Sequence, residues 1–272
     1  MSTTAAVDPV MRTPAITFEH VTKRYGQGAT IIEDLSVTIA PGEFVSIIGP
    51  SGCGKSTLLK MVGGLSPVTS GKIVMERLTL VNARKITSFI FQDSTLLPWR
   101  TVRQNIGLGL ELEGIKGQRR STTVDSLLGL VGLEHVGDSY PRQLSGGMKM
   151  RVSIARALAS HPRVLLLDEP FAALDEMTRD RMNEELIRLH GERGWTALFV
   201  THSVAEAVFL STRILVLAPH PGRLAHDIKV ALPSPRTPET RRSEAFERIV
   251  ADVSRALRSV QDAEEAKEAS TI

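Results

Sequence analysis

The chain has 272 residues, 42% of them hydrophobic, with 33 basic and 30 acidic side chains giving a formal net charge of +3. That is apolar material enough for one large domain or two small ones, and its mild basic excess, not gathered into Lys/Arg blocks, argues only weakly for a nucleic acid or an anionic membrane surface. The single cysteine excludes an internal disulfide framework, and no run approaches the roughly 20 uninterrupted apolar residues of a membrane span.

Residues 1–14 have neither the basic start nor the apolar stretch of a signal peptide, so the chain is expected to stay in the cytosol. Ile16 and Phe18, then Leu35, Val37 and Ile39, alternate with polar residues as half-buried antiparallel strands do. The apolar run Phe44-Val45-Ser46-Ile47-Ile48 follows, then Gly49-Pro50-Ser51-Gly52-Cys53-Gly54-Lys55-Ser56-Thr57, then Leu58-Leu59-Lys60-Met61-Val62. This is strand, glycine loop, helix. A phosphate chain needs converging backbone N–H groups, little side-chain bulk and a helix N-terminus aimed at its charge, and this order supplies all three. The loop is therefore expected to hold a nucleoside triphosphate, with Lys55 reaching the β/γ-phosphates and the Ser56 hydroxyl on Mg²⁺. Cys53 is read as a loop-filling residue whose thiolate the helix end would favour.

Further short β-rich runs lie at 72–75, 88–91, 164–167, 196–201 and 213–217, the last three separated by helical-looking segments in which Met182, Leu186 and Leu189 share one face. The spacing predicts a parallel sheet with crossover helices, covered by an antiparallel layer at the N-terminal side. From about 101 to 160 the character turns helical, with Val124, Leu127, Leu128 and Val131 as an apolar stripe, and this region is read as an inserted helical subdomain. Asp168 and Glu169 end the run Val164-Leu165-Leu166-Leu167. At the tip of a buried parallel strand Asp168 would hold Mg²⁺ through water and Glu169 would polarise the water attacking the γ-phosphate, the alternative being a capped strand end before the turn-forming Pro170. After Pro233-Ser234-Pro235, Phe246, Ile249, Val250, Val253, Leu257 and Val260 recur at helical spacing before a charged end, 261–272, that is expected to fray.

Leu144-Ser145-Gly146-Gly147-Met148 opens a further helical stretch and is a second glycine-containing helix start, hence a second potential phosphate-binding end. Two such ends and one pocket suggest that the second completes the pocket of another copy. Together these motifs resemble the ATP-binding subunit of an ABC transporter, from Ile16 to about Val230. The resemblance implies an α/β P-loop NTPase with a RecA-like parallel sheet core, an N-terminal antiparallel β subdomain and an inserted helical subdomain. It implies an ABC ATPase domain at 15–235, a flexible start at 1–14, and a C-terminal helix and tail at 236–272. Carried over by position, Tyr25 matches the aromatic that stacks on adenine, although a lone Tyr in a turn is more often a packing residue. Gln92 matches the glutamine that senses Mg²⁺ and the attacking water. Ser145, Gly146 and Gly147 match the signature motif that closes over the partner's γ-phosphate, Asp175 the loop that contacts the opposite subunit, and His202 the switch histidine. Met150 stands where many members carry Gln, and the 76–87 connection lacks the usual glycine turn.

The implied cofactors are ATP and Mg²⁺. The implied partners are a second copy in a head-to-tail nucleotide sandwich, separate integral membrane permease subunits and, indirectly, a solute-binding protein, with no nucleic acid expected and a peripheral position at the cytoplasmic face of the inner membrane. Leu96-Leu97-Pro98-Trp99 after the glutamine, and Pro221-Gly222-Arg223, are similar to the importer group for nitrate, sulfonates, taurine and bicarbonate. That implies a small anionic solute, whose identity would reside in the permease and binding protein. By itself an exposed Leu-Leu-Pro-Trp patch reads as a docking surface, with core packing of Trp99 as the alternative. The tail after Pro235 is too short for the regulatory domain of some sugar importers, and its apolar stripe is expected to pack back on the core. An efflux, lipid or lipoprotein system stays open, as does a soluble ABC protein acting on DNA or ribosomes, although the latter usually has two fused nucleotide domains or a coiled-coil insertion. A stand-alone small-molecule kinase would not account for 144–148 or His202.

Overall fold

Polar–apolar alternation from Ile16 onward builds a small antiparallel sheet in the computed structural model, which describes residues 15–75 and 86–269. The expected flexible start and most of the 76–87 connection lie outside the described residues. Strand β1 (Ile16–Arg24) pairs with β2 (Thr30–Ile39), placing Ile16 opposite Ile39 and Phe18 opposite Val37. After β3 (Phe44–Ile48) and α1 (Lys55–Val62), β4 (Ser70–Met75) joins the free edge of β1, so the sheet runs β2-β1-β4.

The second sheet contains β3 and carries the site. Its other strands are β5 (Thr87–Ile90), β6 (Val164–Asp168), β7 (Thr196–Val200), β8 (Arg213–Ala218) and β9 (Arg223–Lys229), in the order β5-β6-β7-β3-β8-β9. All neighbours are parallel except β8 and β9. The chain between β5 and β6 is helical: α2 (Val102–Ile106), α3 (Leu108–Leu112), α4 (Gly117–Leu130) and α5 (Gly146–Ala159). Helices α6 (Glu176–Arg193) and α7 (Val204–Leu210) cross over between the later parallel strands.

Successive residues of the central strands feed two different cores. Phe44, Leu165, Leu167, Phe199, Ile214 and Val216 pack among the helices α2 to α7, whereas Val45, Ile47, Leu166, Leu198, Val200 and Leu215 meet α1 and the small sheet. Both faces are buried, which is why these strands read as unbroken apolar runs. Each fully buried Leu, Val or Phe contributes about 1.5–3 kcal/mol.

Two elements differ from the sequence expectation. Strand β9 carries mostly exposed residues, so no apolar alternation marks it; it forms because it hydrogen-bonds antiparallel along β8, with Arg213 and Asp227 paired at 2.6 Å. The last helix, α8 (Glu244–Ala269), buries Phe246, Val253 and Val260 against the helical core, but it does not fray at Gln261. It continues to Ala269, and Glu264 lies 3.4 Å from His220, which gives this last stretch an anchor on the body of the protein.

Candidate functional site

The glycine loop joins the buried strand β3 to α1, as the residue order requires. Gly54 caps the helix with φ 95°, a left-handed conformation that favours glycine, and a Cβ there would lie 2.5 Å from Ile32 Cδ1. Gly49, Pro50, Ser51 and Gly52 form the turn; Ser51 and Gly52 are exposed and Ser56 and Thr57 half-buried. The Lys55 side chain is 6% exposed and folds over the loop, its Nζ donating to Gly49 O at 2.9 Å and Pro50 O at 2.8 Å. A cation is thus held over the loop by neutral carbonyls. Cys53 is fully buried, and burial pushes its thiol pKa up against the opposing effect of Lys55, so the expected thiolate gives way to a neutral loop-filling thiol. Tyr25 follows β1 and is 52% exposed; hydrogen bonds that its phenol oxygen accepts from the Ser66 and Thr57 hydroxyls hold its pKa below the ordinary value and lay the residue beside the loop.

Parallel pairing of β6 and β7 delivers the acidic and imidazole groups. Ser56 Oγ donates to Asp168 Oδ1 at 2.8 Å, and burial raises the Asp168 pKa despite that bond. Glu169, one residue past the strand, takes φ 48°, held by its N–H on Val200 O at 3.0 Å and its carbonyl on Ala172 N at 3.2 Å. Such a backbone costs a non-glycine residue about 1–3 kcal/mol and persists only where its surroundings enforce it. His202 Nε2 lies 2.6 Å from Glu169 Oε1, and Gln92 Nε2 lies 3.5 Å from Glu169 Oε2. Five of the expected residues, Ser56, Asp168, Gln92, Glu169 and His202, therefore meet in two bonded groups at adjacent positions of one strand end.

Ser145, Gly146, Gly147 and Asp175 form a separate group. Ser145 is the exposed N-cap of α5, accepting from Met148 N at 3.2 Å, and Gly146 has open space where a side chain would stand. Asp175 caps α6, accepting from Thr178 N at 2.9 Å, which lowers its pKa. A Cβ on Gly147 would come within 3.1 Å of Leu174 Cδ2, so the two caps are neighbours. Met150, the departure from the family pattern, is buried in the helical core.

Two further residues shape the site through contacts that the sequence does not record, although Gly222 falls within the Pro221-Gly222-Arg223 run noted above. Gly222 exchanges backbone bonds with β2 (Gly222 N to Ile31 O at 2.8 Å, Glu33 N to Gly222 O at 2.9 Å), and a Cβ on it would fall 2.2 Å from Cys53 O. It is the backing of the glycine loop. Asn105, fully buried in α2, accepts from Leu97 N at 2.8 Å and donates to the carbonyls of Leu97, Arg100 and Thr101 at 3.0–3.1 Å. That staple projects Trp99 outward, 71% exposed, so core packing of Trp99 does not occur.

Residues 32–172 match the family model described as ABC transporter. The chain is 44% identical over 211 residues to a nitrate import ATP-binding protein of Synechocystis sp. strain PCC 6803, covering 77% of this chain and 79% of that protein. It is 43% identical over 215 residues to an aliphatic sulfonates import ATP-binding protein of Xanthomonas axonopodis pv. citri, covering 79% and 85% respectively. Among solved structures, a dimeric ATP-binding cassette in a post-hydrolysis state with ADP and phosphate superposes with a TM-score of 0.73 at 33% identity, over 80% of this chain and 99% of that one.

Proposed function

The chain belongs to the ABC transporter family, and from that premise we propose that it is the ATP-hydrolysing subunit of an importer for a small anionic solute such as nitrate or an organic sulfonate. The observation that carries the chemistry is the meeting of Glu169 with His202 at 2.6 Å and Gln92 at 3.5 Å, one residue from the Ser56–Asp168 pair. The ATP triphosphate lies along residues 49–57, its charge met by loop N–H groups, the α1 N-terminus and Lys55. The Glu169 carboxylate accepts a hydrogen bond from the attacking water and takes up its proton, while His202 Nε2 and Gln92 Nε2 fix that carboxylate and reach the γ-phosphate region. Tyr25, exposed beside the loop, would stack on the adenine.

Ser56 Oγ and Asp168 Oδ1 are hard oxygen donors 2.8 Å apart, a set that fits Mg²⁺: Ser56 would be a direct ligand, Asp168 would act through water, and the Gln92 amide oxygen would be a further donor. When bound there, the ion neutralises charge on the β- and γ-phosphate oxygens.

Ser145, Gly146 and Asp175 are exposed, with Gly147 half-buried beside Leu174, as suits groups that complete the nucleotide site of a second, head-to-tail copy. No helix among the described residues is long and apolar enough to cross a membrane. In this reading a separate integral membrane permease docks over Trp99, at the cytoplasmic face of the inner membrane, and a solute-binding protein delivers the cargo to it. The domain reading of an ABC ATPase unit at 15–235 with a C-terminal helix belongs to the same proposal.

Tagged Glu169→Gln protein, extracted with ATP and Mg²⁺ from detergent-solubilised membranes of its native host, tests the reading. Mass spectrometry should identify a multispanning permease. Recovery from the soluble fraction with ribosomes or nucleic acid would overturn the transport role.

A further inference from the structure

Side chains that the chemistry above does not use join the loop after Gln92 to helix α5. Arg156 sends Nη1 to Thr95 O at 2.9 Å, and Nη2 to Thr95 Oγ1 at 2.9 Å and Ser94 O at 3.3 Å. Ser153, almost one turn earlier on the same face, donates to the same Ser94 carbonyl. Thr95 itself sits at φ 42°, a left-handed backbone that a β-branched residue seldom adopts, so the loop is held in a shape it would not choose alone. These contacts of Arg156 are all neutral oxygens, and burial lowers its pKa. A desolvated guanidinium spent on a strained loop is costly, and what it provides is geometry.

The two ends of this tie serve different nucleotides. Gln92, two residues before Ser94, bonds to Glu169 of its own subunit. Ser145 caps the far end of the helix that carries Arg156, 11 residues away or about 16 Å along a rigid α-helix. In the two-copy arrangement proposed above, on which this argument rests, Ser145 faces the partner's γ-phosphate. We infer that Arg156 is a positioning residue that couples the two nucleotide sites, passing a shift of Gln92 at one site through Ser94 and Thr95 to α5 and thence to Ser145 at the other. The planar fork reaches two carbonyls and a hydroxyl at once, which a lysine ammonium at the same place cannot.

The test measures steady-state ATP hydrolysis against ATP concentration, with binding of a fluorescent ATP analogue and thermal midpoints, for the full chain and its Arg156→Lys, Thr95→Val and Ser145→Arg variants. Wild type should respond cooperatively, with a Hill coefficient well above 1. Arg156→Lys should bring that coefficient to about 1 and lower kcat about 10-fold while nucleotide affinity and midpoint stay at wild-type values. Thr95→Val, which removes one of the three oxygens, should lower cooperativity part of the way, and it carries the test if Arg156→Lys does not fold. Wild-type cooperativity in the folded variants, or a fall in kcat matched by an equal fall in midpoint with cooperativity kept, overturns the inference. If Ser145→Arg leaves hydrolysis untouched, the two-copy reading itself falls and this inference with it. Hydrolysis blocked in Ser145→Arg with cooperativity kept in Arg156→Lys removes the coupling role alone.

Discussion

His202 Nε2 stands 2.6 Å from Glu169 Oε1, although the two residues come from the ends of different strands and are 33 positions apart. The parallel register sets this up: Asp168 at the end of β6 is opposite Val200 at the end of β7, so the next residues of both strands leave the sheet side by side. The side chain of Glu169 is nearly buried and that of His202 largely exposed, so the carboxylate is anchored and the imidazole faces outward.

Glu169→Gln keeps the shape and the bond to His202 while removing the proton acceptor. Turnover should fall by about 10²–10⁴-fold, the usual contribution of a general base, with ATP affinity within twofold of wild type. Single-turnover hydrolysis measured beside equilibrium nucleotide binding checks it, and wild-type turnover would remove Glu169 from the mechanism.

Gly222→Ala places a methyl group 2.2 Å from Cys53 O and 2.9 Å from Ile31 O, both backbone atoms with no rotamer to move. Either the glycine loop shifts or β2 does, and overpacking of this kind costs about 1–3 kcal/mol. A lower melting midpoint with weaker ATP binding is the expected result. Equal affinity and midpoint in the two proteins would show that the backing role is wrong.

His190 on α6 packs edge-on against Phe44 and Trp195 and bonds Gly42 O at 3.1 Å, and burial lowers its pKa from 6.5. Below pH 6.5 the unfolded chain takes up a proton that the folded chain refuses. Stability should therefore be full above pH 6.5 and fall as pH drops from there towards the folded-state value, by at most about 1.4 kcal/mol per pH unit. Urea midpoints of wild type and His190→Phe at pH 7.5 and 5.5 check this. The variant should lose part of the acid sensitivity, and parallel curves would dismiss His190 as its source.

Trp99→Ala should leave the ATP affinity of the isolated subunit unchanged, because Asn105 holds the loop through backbone atoms of Leu97, Arg100 and Thr101 and the indole itself is exposed. Capture of the membrane partner should fall sharply, as truncating a central aromatic anchor often costs 2 kcal/mol or more. Undiminished capture by the variant would move the docking surface elsewhere.

Much of the site was legible because its chemistry is contiguous in the chain. Residues 44–62 announce strand, loop and helix in order, and Val164 to Glu169 announce a buried strand ending in acids. The meeting of Glu169 with Gln92 and His202 could be expected from the family pattern, but not from local composition. What stayed hidden depends on contacts with backbone atoms far away in sequence: Arg156 on the carbonyls of Ser94 and Thr95, Asn105 inside its loop, Gly222 against Cys53 O. A carbonyl is the same at every residue, so no pattern of side chains records which one is being used. Strand β9 was missed for a related reason, since an edge strand with exposed residues on both faces shows no period-2 signal.

The outward placement of Trp99 also makes the molecule its own optical probe. The chain has two tryptophans, and the other, Trp195, is only 3% exposed among Phe44 and His190. One indole emits from water and the other from an apolar, rigid setting. A partner that covers residues 96–99 would shift the red component of the emission to shorter wavelengths and shield it from iodide, while the blue component stayed as an internal standard. Engagement of such a partner would thereby be observable in real time without a label.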